Sequence, residues 1–176
     1  MFIQSQKAEE QAVLNLAYAI CAAARTAPKA CGIDHTDTAI LTGEDKKKLT
    51  DEMRRLGESL PAPFFIRDAD NVDASTAVVL IGVQYKPRDL NEICGICGFE
   101  NCSACMEAGA TCVFTSVDLG IALGSATALA ADHHIDNRIM FTIGKAAASL
   151  EMLGEHKLIM GIPLSVSGKS PFFDRK

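Results

Sequence analysis

The chain has no long basic run, and its net charge is −5. That argues against nucleic acid as the principal partner, because a phosphate backbone is held by clustered lysine and arginine. It has no Ser/His/Asp pattern, no phosphate-binding Walker loop and no dinucleotide fingerprint, so hydrolase and kinase chemistry find no support. Internal repeats and low-complexity segments are absent. Apolar stretches are short. The longest uncharged ones, Gln11 to Ala24 and Leu119 to Ala131, fall below the roughly 18–20 residues that a membrane span needs. The first resembles a secretory leader, with Ala22, Ala23 and Ala24 imitating a cleavage site, but Glu9 and Glu10 stand where positive charge belongs.

What the chain does have is cysteine in one place. Of seven cysteines, five lie between Cys94 and Cys112. Disulfide scaffolds are small and spread their cysteines throughout. A chain of 176 residues, 48% hydrophobic, is long enough to build a core without staples. Clustered thiols in such a chain, read without a leader, point to a metal or cluster site in a reducing cytoplasm.

The pattern of apolar residues predicts one domain over residues 1–176. Helical spacing of Val13, Leu16, Ala17, Ile20, Cys21 and Ala24 predicts a helix from Glu9 to Ala24, ended by Pro28 and Gly32. Thr38 to Leu41 reads as a short strand. Thr42 is placed to cap a second helix, with Leu49, Met53, Leu56 and Leu60 toward the core. Its lysines and arginines read as a solvated face rather than a binding patch. Pro61 and Pro63 break the chain. Ala77 to Val83, a continuous apolar run, predicts a central strand buried on both faces. A helix is expected from Asp118 to His133, another from Asp136 with Ile139, Ile143, Ala147, Leu150 and Leu153 along one side, and a last strand at Leu158 to Leu164. The expected class is α+β, a mixed sheet flanked by helices, with a cysteine-rich hairpin at 91–112 inserted into it.

The cysteine segment reads Cys94-Gly-Ile-Cys97-Gly-Phe-Glu-Asn-Cys102-Ser-Ala-Cys105, then Cys112. A Cys-x2-Cys turn aims two thiolates at one centre, and thiolates suit zinc or iron–sulfur. A cubane takes four cysteines. Cys94, Cys97 and Cys102 supply three, and either Cys112 or Cys105 supplies the fourth. A compact zinc site using Cys105 and not Cys112 is the alternative. The remaining candidates are weaker. Gly120 and Gly124 suit either tight helix packing or a dimer seam. His133, His134 and Asp136 suit a metal or, more simply, a helix C-terminus. Cys21 and Cys31 read as a core residue and a loop thiol.

The run ICGICGFENC followed by Cys112 resembles the four-cysteine cluster motif of the Rnf-complex ferredoxin subunit and of corrinoid iron–sulfur proteins. Across nearly the whole chain, ARTAPKACGID, RDADNVDASTAVVLIGV, VDLGIALGSA, DNRIMFTIGKAA and GIPLSVSGKSPFFDR resemble uncharacterised prokaryotic proteins described as containing a ferredoxin domain. That resemblance implies a 4Fe-4S cluster on Cys94, Cys97, Cys102 and Cys112. That family has no assigned reaction; a cluster at these cysteines would pass single electrons to a partner protein or to a flavin, in electron transfer or as a reductase component.

The scaffold also resembles FMN-dependent nitroreductases. The segment Ala24 to Lys29 is similar to their Arg-x-Ala-Pro-Ser segment, and ILTGEDKKKL, AVVLIGV, the Asp118 helix and Gly161-Ile162-Pro163 follow in the same order. The resemblance implies a homodimer and an FMN phosphate held by Arg25, Lys29, Lys169 and Arg175. The chain departs from it by lacking the Arg-x-Ser-x-Arg segment before the first helix. The expectation is therefore that FMN binds weakly or not at all.

Overall fold

A computed structural model describes residues 1–156 and 158–173. Its first helix, α1 (Ser5–Thr26), is longer than its apolar stripe requires, and that stripe of Val13, Leu16, Ala17, Ile20 and Ala24 is buried as expected. The strand β1 (Thr36–Leu41) follows, then α2 (Gly43–Ser59) and α3 (Phe64–Asp73). Thr42 stands at the N-cap of α2 but makes no side-chain cap bond, while Glu44 and Asp45 place negative charge in the first turn. Leu49, Met53 and Leu56 are buried. Leu60 is 42% exposed, because the helix ends at Ser59 and Leu60 lies past its last turn.

The helix α3 is not expected from the two prolines. Pro63 takes its N-cap position, where a proline's missing N–H costs nothing. Two helical passes between β1 and the next strand, β2 (Ala77–Val83), return the chain to the end it left, so β2 runs antiparallel to β1. β2 is buried at every position and central, as its composition predicts. The last strand, β4 (Leu158–Ser165), pairs antiparallel on its other side, and the two-residue β3 (Asp136–Asn137) completes the order β1-β2-β4-β3. The α+β architecture stands. A mixed sheet is expected, and each described pairing is antiparallel.

Between β2 and β4 lie α4 (Cys102–Glu107), α5 (Val113–Asp132) and α6 (Phe141–Ser149). α5 starts ahead of Asp118, directly after Cys112. By length and composition it is apolar enough to cross a membrane, which the uncharged stretches alone did not suggest. Here it packs on α1 and β2 and carries the buried carboxylate of Asp118. Asp136 does not start a helix. It pairs with Ser165, and Met140 bridges to Gly161 before α6 begins. Ile139 and Leu150 therefore fall outside α6 and are exposed, while Ile143, Ala146 and Ala147 face inward.

The alternation of β2 divides the core. Ala77, Val79, Ile81 and Val83 pack with α1 and α5 on one face. Val78 and Leu80 pack with α2, α3 and α6 on the other, together with Phe172 from the C-terminal tail. α6 reaches β4 through two glycines. A Cβ on Gly144 would lie 1.7 Å from the Ile159 carbonyl oxygen, and one on Gly161 would lie 1.9 Å from Ile143 Cγ2.

Candidate functional site

The cysteine segment leaves the sheet at the end of β2 and rejoins the body at the start of α5. Its two ends are joined by a buried ion pair. Arg88 and Asp118 have 1% and 2% of their side-chain surface exposed, and Arg88 Nη2 donates to Asp118 Oδ2 at 2.5 Å. Arg88 Nε donates to the same oxygen at 3.2 Å, and Nη1 to the Lys86 carbonyl at 3.0 Å. The other oxygen of Asp118 accepts the Ala30 N–H at 2.9 Å, which binds the loop after α1 to the same point. Thr115 on α5 donates to the Lys86 carbonyl at 3.2 Å. Two buried charges are tolerable only when both are paired and their remaining positions are hydrogen-bonded, and here they are. His35 lies close enough for the positive charges of Arg88 and Lys86, after burial, to push its pKa down.

Above this base the thiols gather. Cys94, Cys97, Cys102, Cys105 and Cys112 all line one small cavity of about 20 Å³, together with Pro87, Phe99, Val113 and Phe114. Gly95 and Gly98, each following a cysteine, adopt φ of 59° and 81°, the left-handed backbone that lets the chain wrap around Cys94 and Cys97. Asn101 caps α4 by accepting the Ala104 N–H at 2.9 Å, which places Cys102 at the first turn. The Asn91 N–H donates to Cys102 Sγ at 3.3 Å. A backbone N–H aimed at a cysteine sulfur tunes any centre that sulfur holds.

The cysteines are not equivalent. Cys94, Cys97, Cys102 and Cys112 are partly exposed around the cavity, whereas Cys105 is buried and its S–H faces the Ala110 carbonyl at 3.7 Å. Burial first, then contact with Cys97 and the proximity of Cys112 and Cys102, push the Cys105 thiol up. Among the described residues no three Cys, His, Asp or Glu side chains converge closely enough to hold one metal ion. The thiols line the cavity together, and thiolates are soft ligands suited to iron–sulfur or zinc.

The other expected residues are dispersed. Arg25 and Lys29 share a corner, but they are taken up there. Arg25 pairs with Asp34 at 2.7 Å and Asp37 at 3.6 Å, and also bonds the Thr36 carbonyl. Lys29, largely buried, caps the end of α1 at the Arg25 and Ala27 carbonyls and lies 4.0 Å from Asp34. The tail is anchored from the opposite face of the sheet by Phe172, whose carbonyl accepts from Arg138. Ser167 donates to the Lys169 carbonyl. Arg175 lies outside the described residues. The basic residues of α2 are a paired face, as read. Lys47, Lys48, Arg54 and Arg55 meet carboxylates, and Lys46 caps α3 at Val72, Asp73 and Ser75. His133 and His134 are exposed at the C-terminus of α5, the simpler of their two readings.

Arg88 and Asp118 escape a reading by motif. The available signal is a lone carboxylate on the apolar face of a helix, since Thr115, Asp118, Leu119, Ala122 and Ala126 are all buried on α5. A charge there requires a partner.

Comparison with known proteins agrees with this architecture. A nitroreductase with bound FMN from Desulfitobacterium hafniense superposes with a TM-score of 0.59 at 14% identity, over 88% of this chain and 78% of that one. A putative nitroreductase in complex with FMN from Desulfovibrio desulfuricans gives 0.58 at 12% identity, over 100% of this chain and 81% of that one. At such identities the likeness is one of fold. In sequence, an uncharacterized protein of Archaeoglobus fulgidus is 39% identical over 183 residues, covering 99% of this chain and 98% of the relative. A family model described as an uncharacterized protein containing a ferredoxin domain matches residues 108–175, which include Cys112 and the α5 base of the site. On these grounds the chain belongs to the family of uncharacterized proteins containing a ferredoxin domain, built on a nitroreductase-like fold.

Proposed function

We propose that the protein is an iron–sulfur redox protein, an electron carrier or reductase component, whose cluster is held by Cys94, Cys97, Cys102 and Cys112. The observation that carries this reading is the gathering of the cysteines around one small cavity over a buried, fully bonded ion pair. The family's ferredoxin-domain description supports it. When bound, a 4Fe-4S cluster supplies one-electron chemistry at a potential set by hydrogen bonds to sulfur and by nearby charge. The chain's own contribution is to hold the thiols at fixed separation, direct the Asn91 N–H at Cys102, and keep Cys105 protonated and inside.

The test is anaerobic purification followed by iron, sulfide, zinc and flavin analysis. The expected protein is brown, contains iron and acid-labile sulfide, and bleaches with dithionite. A colourless protein with one zinc per chain overturns the reading in favour of a zinc-stabilised interaction module.

A second reading, an FMN-dependent oxidoreductase, is favoured by the fold it shares with FMN-bound nitroreductases. Against it stands the engagement of Arg25 and Lys29 with the chain's own carboxylate and carbonyl groups.

A further inference from the structure

Beyond Lys86 and Arg88 at its base, the charges of the cysteine segment are of one sign. No lysine or arginine occurs between Arg88 and Arg138, and Arg88 is consumed by Asp118. Within the segment Asp89, Glu92, Glu100 and Glu107 are all exposed, and none forms an ion pair among the described residues. The contrast with α2 is direct, since there Asp45, Asp51 and Glu52 each meet a cation. The same segment presents large apolar side chains to solvent: Ile93 is 87% exposed, and Ile96 and Met106 are each 59% exposed. Single exposed apolar residues need no explanation, but several on one short excursion, accompanied by carboxylates that no cation meets among the described residues, have the composition of a docking surface with a polar rim.

We propose that the tip of the cysteine segment is the docking surface for a protein that rings an apolar patch with lysine and arginine side chains. Charge decides between possible occupants. A second copy of this chain seated tip to tip would oppose the same four carboxylates on both sides with no cation between them. Membranes and nucleic acids carry the wrong sign. A cationic rim satisfies Asp89, Glu92, Glu100 and Glu107 at once, while Ile93, Ile96 and Met106 supply the dry centre. Rim charges of this kind act mainly on encounter rate and salt dependence, and the buried apolar contact acts on lifetime. That the partner is a redox protein rests on the iron–sulfur reading above; that a basic protein docks here does not.

The experiment titrates the anaerobically purified full chain with cytochrome c, a lysine-rich probe, by calorimetry. Binding is expected to weaken about tenfold or more between about 20 mM and 200 mM NaCl, because screening shortens the reach of rim charges. The triple variant Glu92→Gln, Glu100→Gln, Glu107→Gln should lose about tenfold in affinity at low salt. A control with the same charge removed from other exposed positions, Glu10→Gln, Glu58→Gln, Glu155→Gln, should lose less than about twofold. Ile93→Ser with Ile96→Ser should weaken binding about fivefold without changing its salt slope. All substituted positions are exposed, and thermal melts of each variant verify folding. Equal losses in the two triple variants would reduce the effect to bulk acidity and overturn the proposal. So would an isoleucine pair without effect, or a self-association abolished by that pair, which would make a second copy the occupant. Iron and sulfide are assayed on the same samples. Docking retained by an iron-free protein would sink the iron–sulfur reading and leave the surface standing.

Discussion

The Arg88 guanidinium and the Asp118 carboxylate meet 2.5 Å apart in the interior, and they join the exit of β2 to the first turns of α5. Between them in sequence lie the cysteine segment and the first turn of α5, so the pair closes the segment's base. Removing one partner leaves the other charged and buried, at a cost of about 3–5 kcal/mol. Arg88→Met and Asp118→Asn are each expected to lower the denaturation midpoint by an amount corresponding to that loss. The double variant should recover part of it, because two neutral side chains leave no orphaned charge. A double variant no more stable than the worse single one would show that the pair does more than neutralise itself.

On the iron–sulfur reading proposed above, two serine variants decide which cysteine is the fourth ligand. Cys112 lines the cavity and stands at the N-cap of α5, whereas Cys105 is buried with its S–H toward Ala110. Cys112→Ser should abolish or destabilise iron binding. Cys105→Ser should retain iron, with a modest loss of stability from the changed buried group. If Cys105→Ser loses iron and Cys112→Ser keeps it, the compact set of the first four cysteines is the ligand set.

Much of this fold was legible because apolar periodicity is local. β2 reads as a central strand from Ala77 to Val83 alone, and the buried stripe of α1 follows from spacing alone. α3 was hidden because Pro61 and Pro63 signal a break, and the sequence does not reveal that Pro63 begins the next helix rather than ending order. Asp136 misleads for a related reason. An acidic residue before an apolar periodic run imitates a cap, but its pairing with Ser165 is a contact with a strand far along the chain. At the site, the cysteine motif was plain, while Arg88, Asp118 and Ala30 come together only in space.

Gly144→Ala tests the contact between α6 and β4. The added methyl would meet the Ile159 backbone, which has no rotamer with which to yield. A loss of about 1–3 kcal/mol or more is expected from overpacking, against the small gain that alanine normally brings to a helix. Gly124→Ala on the open face of α5 meets nothing within 4 Å and should be neutral or stabilising in the isolated chain. Matching chemical-denaturation curves for the two variants would contradict the close approach.

That open face is where a second copy is expected. Val117 and Ile121 are 43% and 40% exposed, and Gly120 and Gly124 leave clear space beside them. An obligate homodimer interface of this kind would bury upwards of about 2,000 Å². Light scattering at micromolar concentration should return a dimer, and Ile121→Glu, which places a charge on the face without touching the core, should return a monomer. A wild-type monomer refutes the dimer.

The flavin prediction turns on Asp34. An FMN phosphate needs fixed positive charge, because a dianion is costly to bring into a partly dry site. Arg25 and Lys29, which resemblance assigns to that task, both face Asp34, and Arg25 also approaches Asp37. Arg25 could leave its pairs cheaply, since exposed ion pairs contribute little. Lys29 is largely buried and caps α1, so recruiting it would leave the Arg25 and Ala27 carbonyls without their donor. Asp34 would remain beside the phosphate as a repelling charge. FMN is therefore expected to bind weakly or not at all, and Asp34→Asn should tighten whatever binding exists by removing the repulsion and freeing Arg25. Fluorescence titration of wild type and variant decides the matter. A sub-micromolar wild-type dissociation constant, weakened about tenfold (about 1.4 kcal/mol) by Arg175→Ala, would mean that the flavin phosphate is held by the tail, and that the protein is an iron–sulfur flavoprotein reductase.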